Sequence, residues 1–274
     1  MSNHAPLDDI VLEADRLLEA AVAADVPVRL IGGLAVRMHA GGEPVITRAY
    51  KDIDLVTLKG RGKRVSELMT GMGYEADRAF NATNGHRRLL YYDPPHGRQV
   101  DVFVGTFEMC HSIPITERID LHASAVPLAE LLLTKMQIVE LNAKDQADIL
   151  TILYHHDVAE DDGGGNAVNA ARVAQLCAGD WGLWRTTKLN VERTRDALAG
   201  SALTPDQAAV VRERLDRCGN GSSASPSRPS GRCETASATR CAGTRSPKRS
   251  RASPEIEARS RGRPGPPSSP DRAR

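Results

Sequence analysis

Two aspartates one residue apart, Asp52 and Asp54, interrupt the apolar run IDLVT. On a β-strand, residues i and i+2 point to the same face. A strand through this stretch therefore sets two carboxylates side by side and sends Ile53 and Leu55 into the core. Like charges that close repel, and one takes up a proton unless a cation sits between them. An edge strand with its polar face in water is the plainer alternative, but Ile53, Leu55 and Val56 favour a buried strand. A third acid, Asp101, lies inside a second apolar run, QVDVFV. A lone buried carboxylate is costly without a partner. If the two strands are neighbours, three carboxylates converge into an oxygen-ligand site for Mg²⁺ or Mn²⁺. Metals bridged by such acids activate an attacking oxygen and stabilise a leaving pyrophosphate.

About twenty residues before Asp52, the run VRLI meets Gly32-Gly33 and then LAV. Glycines let backbone approach a phosphate, and a helix starting there offers unpaired N–H groups and a positive dipole end. Most Gly-Gly pairs are simple turns. This one gains weight from its place after a strand, before a helix and ahead of Asp-x-Asp.

The surrounding periodicity supplies the elements that position these groups. Helical spacing of apolar residues predicts helices over 7–24, 34–39 and 64–72. Strands are expected at 28–31, 52–58, 74–79, 86–92 and 99–104, with a turn at 93–97 and a further strand or hairpin at 113–122. Past residue 126 the pattern becomes helical, with helices over 127–141, 144–154, 167–177, 188–198 and 205–215 and an acidic, glycine-rich loop over 157–165. The organisation expected is an α/β core over 1–125, a helical region over 126–217 packing on that core, and a tail over 218–274.

The tail differs in composition. Its only large apolar residue is Ile256, and it carries 12 Lys/Arg against 4 Asp/Glu, whereas residues 1–217 carry 24 against 31. Such a segment buries too little apolar surface to offset the entropy of ordering it, so it is expected to be disordered. The acidic body argues against a dedicated duplex-DNA reader. The basic tail is either solvated without a role or a loose hold on nucleic acid. A frameshift offers a further origin. Read one frame over, the codons of Arg232 to Ser237 can spell Leu-Arg-Asn-Arg-Val-Gly, which continues as an ordinary helical end.

The cysteines at 110, 177, 218, 233 and 241 match neither a disulfide framework nor a zinc spacing. No signal peptide and no run of membrane-span length is visible. The expected setting is cytoplasmic, without membrane association.

The order Gly-Gly, Asp-x-Asp, third Asp resembles the nucleotidyltransferase fold of the DNA polymerase β superfamily. More narrowly it resembles the AbiEii-like bacterial nucleotidyltransferases, several of which are toxins of toxin–antitoxin pairs. The resemblance covers about residues 7–217. It implies an α+β fold with a small mixed sheet flanked by helices. It implies an enzyme, a Mg²⁺-dependent transferase that moves an NMP from an NTP such as ATP to an acceptor hydroxyl. The acceptor is an RNA 3′ end, a protein side chain or a small molecule, and a cognate antitoxin is an expected partner. A non-catalytic binding or regulatory protein on the same fold is the alternative.

By motif, Gly32 and Gly33 would bind the NTP phosphates. Asp52, Asp54 and Asp101 would be the metal-binding catalytic acids, with Asp101 also the base for the attacking hydroxyl. Arg48 stands four residues before Asp-x-Asp, as in the relatives, but Tyr50 occupies their Ser/Thr position. The gap from Gly33 to Asp52 is longer than theirs, filled by residues 40–49. Lys135, followed by Lys144-Asp145-Gln146-Ala147-Asp148, matches a helical Lys and Arg-Asp-x-x-Asp at shorter spacing. Lys135 either reaches triphosphate or snorkels from a core helix. Asp145 and Asp148 are expected to position that lysine or to cap the helix. His155-His156, beside several acids, reads better as a solvated helix end than as a metal cluster. Trp181 and Trp184 either stack a base or anchor helices.

Overall fold

The computed structural model describes residues 5–221, with side chains through residue 219. The first half alternates helices and strands: α1 (Ile10–Ala23), β1 (Val28–Ile31), α2 (Gly32–His39), β2 (Ile53–Thr57), α3 (Gly62–Gly71), β3 (Glu75–Ala76), α4 (Arg78–Asn84), β4 (Arg88–Asp93) and β5 (Arg98–Val104). These strands form one sheet in the order β1-β2-β5-β4-β3. β2 and β5 run parallel, and the other pairs are antiparallel. The fold is thus a mixed α/β arrangement with a five-stranded sheet flanked by helices.

Local chemistry accounts for most boundaries. Asp9 caps α1 by accepting from the N–H groups of Val11 and Leu12. α4 was not expected from the sequence. It buries no residue, so it has no apolar stripe for periodicity to find. Its one signal is Asp77, whose side chain accepts from the Phe80 N–H and so ends the expected 74–79 strand after two residues. Pro114 likewise confines the strand expected over 113–122. What forms is a short hairpin of β6 (Phe107–Glu108) and β7 (Ser112–Ile113), followed by a 3₁₀ turn at Ile119–Leu121.

The second half contains α5 (Leu128–Met136), α6 (Ala143–His155), β8 (Asp157–Ala159), β9 (Ala167–Asn169), α7 (Ala170–Gly179), α8 (Trp181–Ala197) and α9 (Pro205–Gly221). It is not purely helical. β8 and β9 pair in parallel across the segment read as an acidic loop, and residues 167–169 are strand rather than the start of a helix. All nine residues of α5 are buried, so it is a central helix. Asn142 starts α6 by accepting from the N–H groups of Lys144 and Asp145.

Both halves share one apolar core, in which Ile53, Leu55 and Val102 of the sheet join Leu131, Leu132, Ile149 and Leu153 of the later helices. α9 runs past the expected end at residue 215 through Gly221, and Cys218 is buried. The remainder of the expected disordered tail, with its shifted-frame reading, lies outside the described residues. Among those described, no helix is long and apolar enough to cross a membrane.

Candidate active site

The parallel pairing of β2 with β5 sets Asp54 directly opposite Asp101. Directly opposed residues share a sheet face, and Asp52 joins them from just before β2. Ile53 and Leu55 go the other way, with at most 2% of their surface exposed. The three acids of the sequence reading are therefore on one face.

Their surroundings differ. Asp52 is exposed, Asp54 is half-buried and Asp101 is buried. Among the described residues, neither Asp52 nor Asp54 makes a hydrogen bond or ion pair through its side chain. Burial first, and then the charge of Asp101, push the Asp54 carboxyl up to about 7, with Lys135 and Arg88 opposing. Burial and Asp101 also raise Asp52, against Lys144 and Lys51. Asp101, in contrast, has both oxygens engaged. Nε of Arg88 donates to Oδ1 at 2.7 Å, and Nε2 of Gln99 donates to Oδ2 at 2.6 Å.

Among the described residues, no three His, Cys, Asp or Glu side chains form a group able to hold an ion, and Asp101 is engaged by Arg88 and Gln99. A hard divalent cation fits the two unpartnered carboxylates of Asp52 and Asp54 in its donor chemistry.

Gly32 and Gly33 begin α2 directly after β1, and no side chain caps the helix. The first N–H groups of such a helix have no partner within it. The two glycines serve different purposes. Gly32 has φ +72°, a conformation L side chains rarely adopt, and a Cβ there would overlap Oδ2 of Asp54. A Cβ on Gly33 would overlap the Arg48 guanidinium. The turn thus accommodates one of the acids and a basic side chain, a role that motif reading alone did not predict.

Arg48 is not a free cation. Its Nε and Nη2 donate to the two oxygens of Asp148, each at 2.8 Å, and its guanidinium lies 4.6 Å from the Tyr50 ring centroid. Asp148 also pairs with Nζ of Lys135 at 2.9 Å, and Asp145 does so at 3.0 Å. Burial disfavours the Lys135 ammonium, but Asp148 and Asp145 outweigh it and raise its pKa. The expected positioning role of these two acids is therefore seen, and Asp148 extends it to Arg48. That second link was not read from sequence, because Arg48 and Asp148 are a hundred residues apart.

Gly33, Arg48, Tyr50, Asp52, Asp54 and Lys135 are among the residues lining a cavity of ≈ 200 Å³. Gly32 and Asp101 are not among the lining residues. The other sequence candidates lie apart from it. His156 ends α6 with its ring nitrogens 3.1 Å from the carbonyl oxygens of Asn166 and His39. Trp181 and Trp184 stand at the start of α8, with ring centroids 6.4 Å apart.

No family model matches the chain, and no curated protein matches it. Similar solved structures include JHP933 from Helicobacter pylori, at 12% identity over 79% of this chain and 94% of that one, with a TM-score of 0.35. A second, described as a candidate nucleotidyltransferase from H. pylori, is 11% identical over 79% of this chain and 97% of that one, with a TM-score of 0.34. Overlaps of this size decide nothing about activity.

Proposed function

We propose that the chain is a nucleotidyltransferase that moves an NMP from an NTP to an acceptor hydroxyl. One observation carries the reading. Two carboxylates without partners, Asp52 and Asp54, share a cavity with Lys135 and with Gly33 at the uncapped start of α2. A protein that keeps adjacent acids unpaired, one of them pushed up to about 7, bears a cost in stability that a purely structural role does not explain.

In this reading the N–H groups at the start of α2 take phosphate oxygens. Lys135 and Arg48, held by Asp145 and Asp148, present positive charge to the same phosphates. Asp52 and Asp54, with Asp101 beside them on the same sheet face, would hold Mg²⁺ or Mn²⁺, which when bound neutralises charge on the reacting phosphate and the departing pyrophosphate. Asp101 takes the proton of the acceptor hydroxyl. The acceptor oxygen forms its bond to the α-phosphorus as the bond to the pyrophosphate oxygen breaks. Catalysis is positioning plus electrostatic stabilisation.

The resemblance to AbiEii-like enzymes supports a finer version. There the protein is a cytoplasmic toxin with a cognate antitoxin, and its acceptor is an RNA 3′ end, a protein or a small molecule. Incubation with each α-labelled NTP, Mg²⁺ and a cell extract tests the reading, beside an Asp52→Ala/Asp54→Ala control. The class of molecule that takes label names the acceptor. Folded protein that leaves no label above the control supports instead the alternative of a non-catalytic binding protein on this fold.

A further inference from the structure

Asp101 is held from two sides by residues outside the cavity wall. The β4–β5 register pairs Leu90 with Asp101 and Arg88 with Phe103. Arg88 and Asp101 therefore share a face and stand diagonally across the two strands, within reach of a long side chain. Gln99, two residues before Asp101 on β5, lies on that face as well. Their hydrogen bonds to Asp101, at 2.7 and 2.6 Å, take one oxygen each. The Arg88 guanidinium is itself placed by two aromatic rings, with centroids 5.8 Å away at Phe80 and 5.2 Å away at Phe103. Phe80 belongs to α4, the helix that buries none of its residues.

Strand pairing fixes where the Asp101 backbone lies, but it leaves the carboxylate free to rotate about its side-chain bonds. Two donors from different strands remove that freedom. An ionised carboxylate has about four lone-pair positions, so the clamp leaves one on each oxygen. We propose that Arg88 is a positioning residue for nucleotidyl transfer: braced by Phe80 and Phe103, it fixes with Gln99 the Asp101 carboxylate beside Asp54, keeping a lone pair ready for the acceptor proton. The inference rests on the proposed function, since it assigns the orientation of the group that receives that proton.

Steady-state NMP transfer by the wild type and by Arg88→Met and Arg88→Lys tests it, with thermal melts as the check on folding. Met keeps an unbranched stem between the two rings. Lys keeps the charge but lacks the directed Nε–H that donates to Oδ1 of Asp101. Arg88→Met lowers kcat about 100-fold, the scale of a misplaced reacting group, while KM for NTP stays within about twofold. Arg88→Lys still loses about tenfold or more in kcat, although it balances the charge of Asp101. If Arg88→Met does not fold, the Lys variant and Gln99→Leu carry the test by the same split. Wild-type kcat in Arg88→Lys, or a rise in KM without a fall in kcat, overturns the proposal. A wild type that transfers nothing overturns the proposed function instead, and the clamp's role falls with it.

Discussion

Replacing Asp54 with Asn stabilises the protein in the absence of divalent cations. The folded structure holds the Asp54 carboxyl up to about 7, against an ordinary 3.8. The unfolded chain gives up this proton near pH 4, and the folded one near pH 7. Folding therefore takes up a proton between those values, and stability falls as pH rises through that window. The loss is complete above pH 7. At about 1.4 kcal/mol per pH unit the full displacement is worth about 4 kcal/mol. Because part of that displacement comes from the neighbouring charge of Asp101 and not from burial alone, about 2–4 kcal/mol is the working range. Urea unfolding in EDTA, at pH 4 and at pH 8, measures it. Asp54→Asn and the wild type are of similar stability at pH 4, and the variant is more stable by about 2–4 kcal/mol at pH 8. Saturating Mg²⁺ reverses the order, because only the wild type keeps both carboxylates. A variant no more stable than the wild type at pH 8 refutes the view that these acids burden the fold.

Three further outcomes follow from neighbouring residues. Asp148→Ala strands Arg48 and leaves Lys135 with Asp145 alone, and it costs about 3–5 kcal/mol in denaturant unfolding, as expected when a buried pair loses one partner. Gly32→Ala forces an L side chain to φ +72° and into Asp54. The backbone alone costs about 1–2 kcal/mol, and a labelled-NTP assay finds transfer lost even where the protein stays folded. Burial, with smaller contributions from His122 and His156, lowers His39 to about 4. The unfolded chain then binds this proton first, so stability contributed by His39 falls from about pH 6.5 to about pH 4, by about 3 kcal/mol in all. This opposes the Asp54 effect, and a His39→Gln variant separates the two by losing the His39 share of the acid-side decline, while His122, His155 and His156, also lowered, keep theirs.

The carboxylate-bearing strands were legible because their chemistry is local. Alternation fixed which way Ile53 and Leu55 point, and the apolar run around Asp101 marked a strand buried enough to neighbour them. The side-chain contacts at the site were less so. Arg48 with Asp148, and Arg88 with Asp101, join distant or non-consecutive positions, and no short-range pattern encodes them. Gly32 and Gly33 read as interchangeable in the sequence. Only the packing of Asp54 against one and Arg48 against the other separates them. α4 escaped because it buries nothing, and β8 and β9 escaped because three-residue strands among Asp and Gly look like a loop. Asp77 was the one local sign of α4, a cap residue without an amphipathic run behind it.

The central claim is that Asp52 and Asp54 serve nucleotidyl transfer rather than structure. The most direct measurement is pyrophosphate release from an NTP, with Mg²⁺ and a cell extract as the source of acceptor, for the wild type against Asp52→Asn/Asp54→Asn. The account predicts release in step with label incorporation from α-labelled NTP by the wild type, and none above background from a variant that is folded. Equal rates from the two proteins, or no release by folded wild type with any NTP, contradict it.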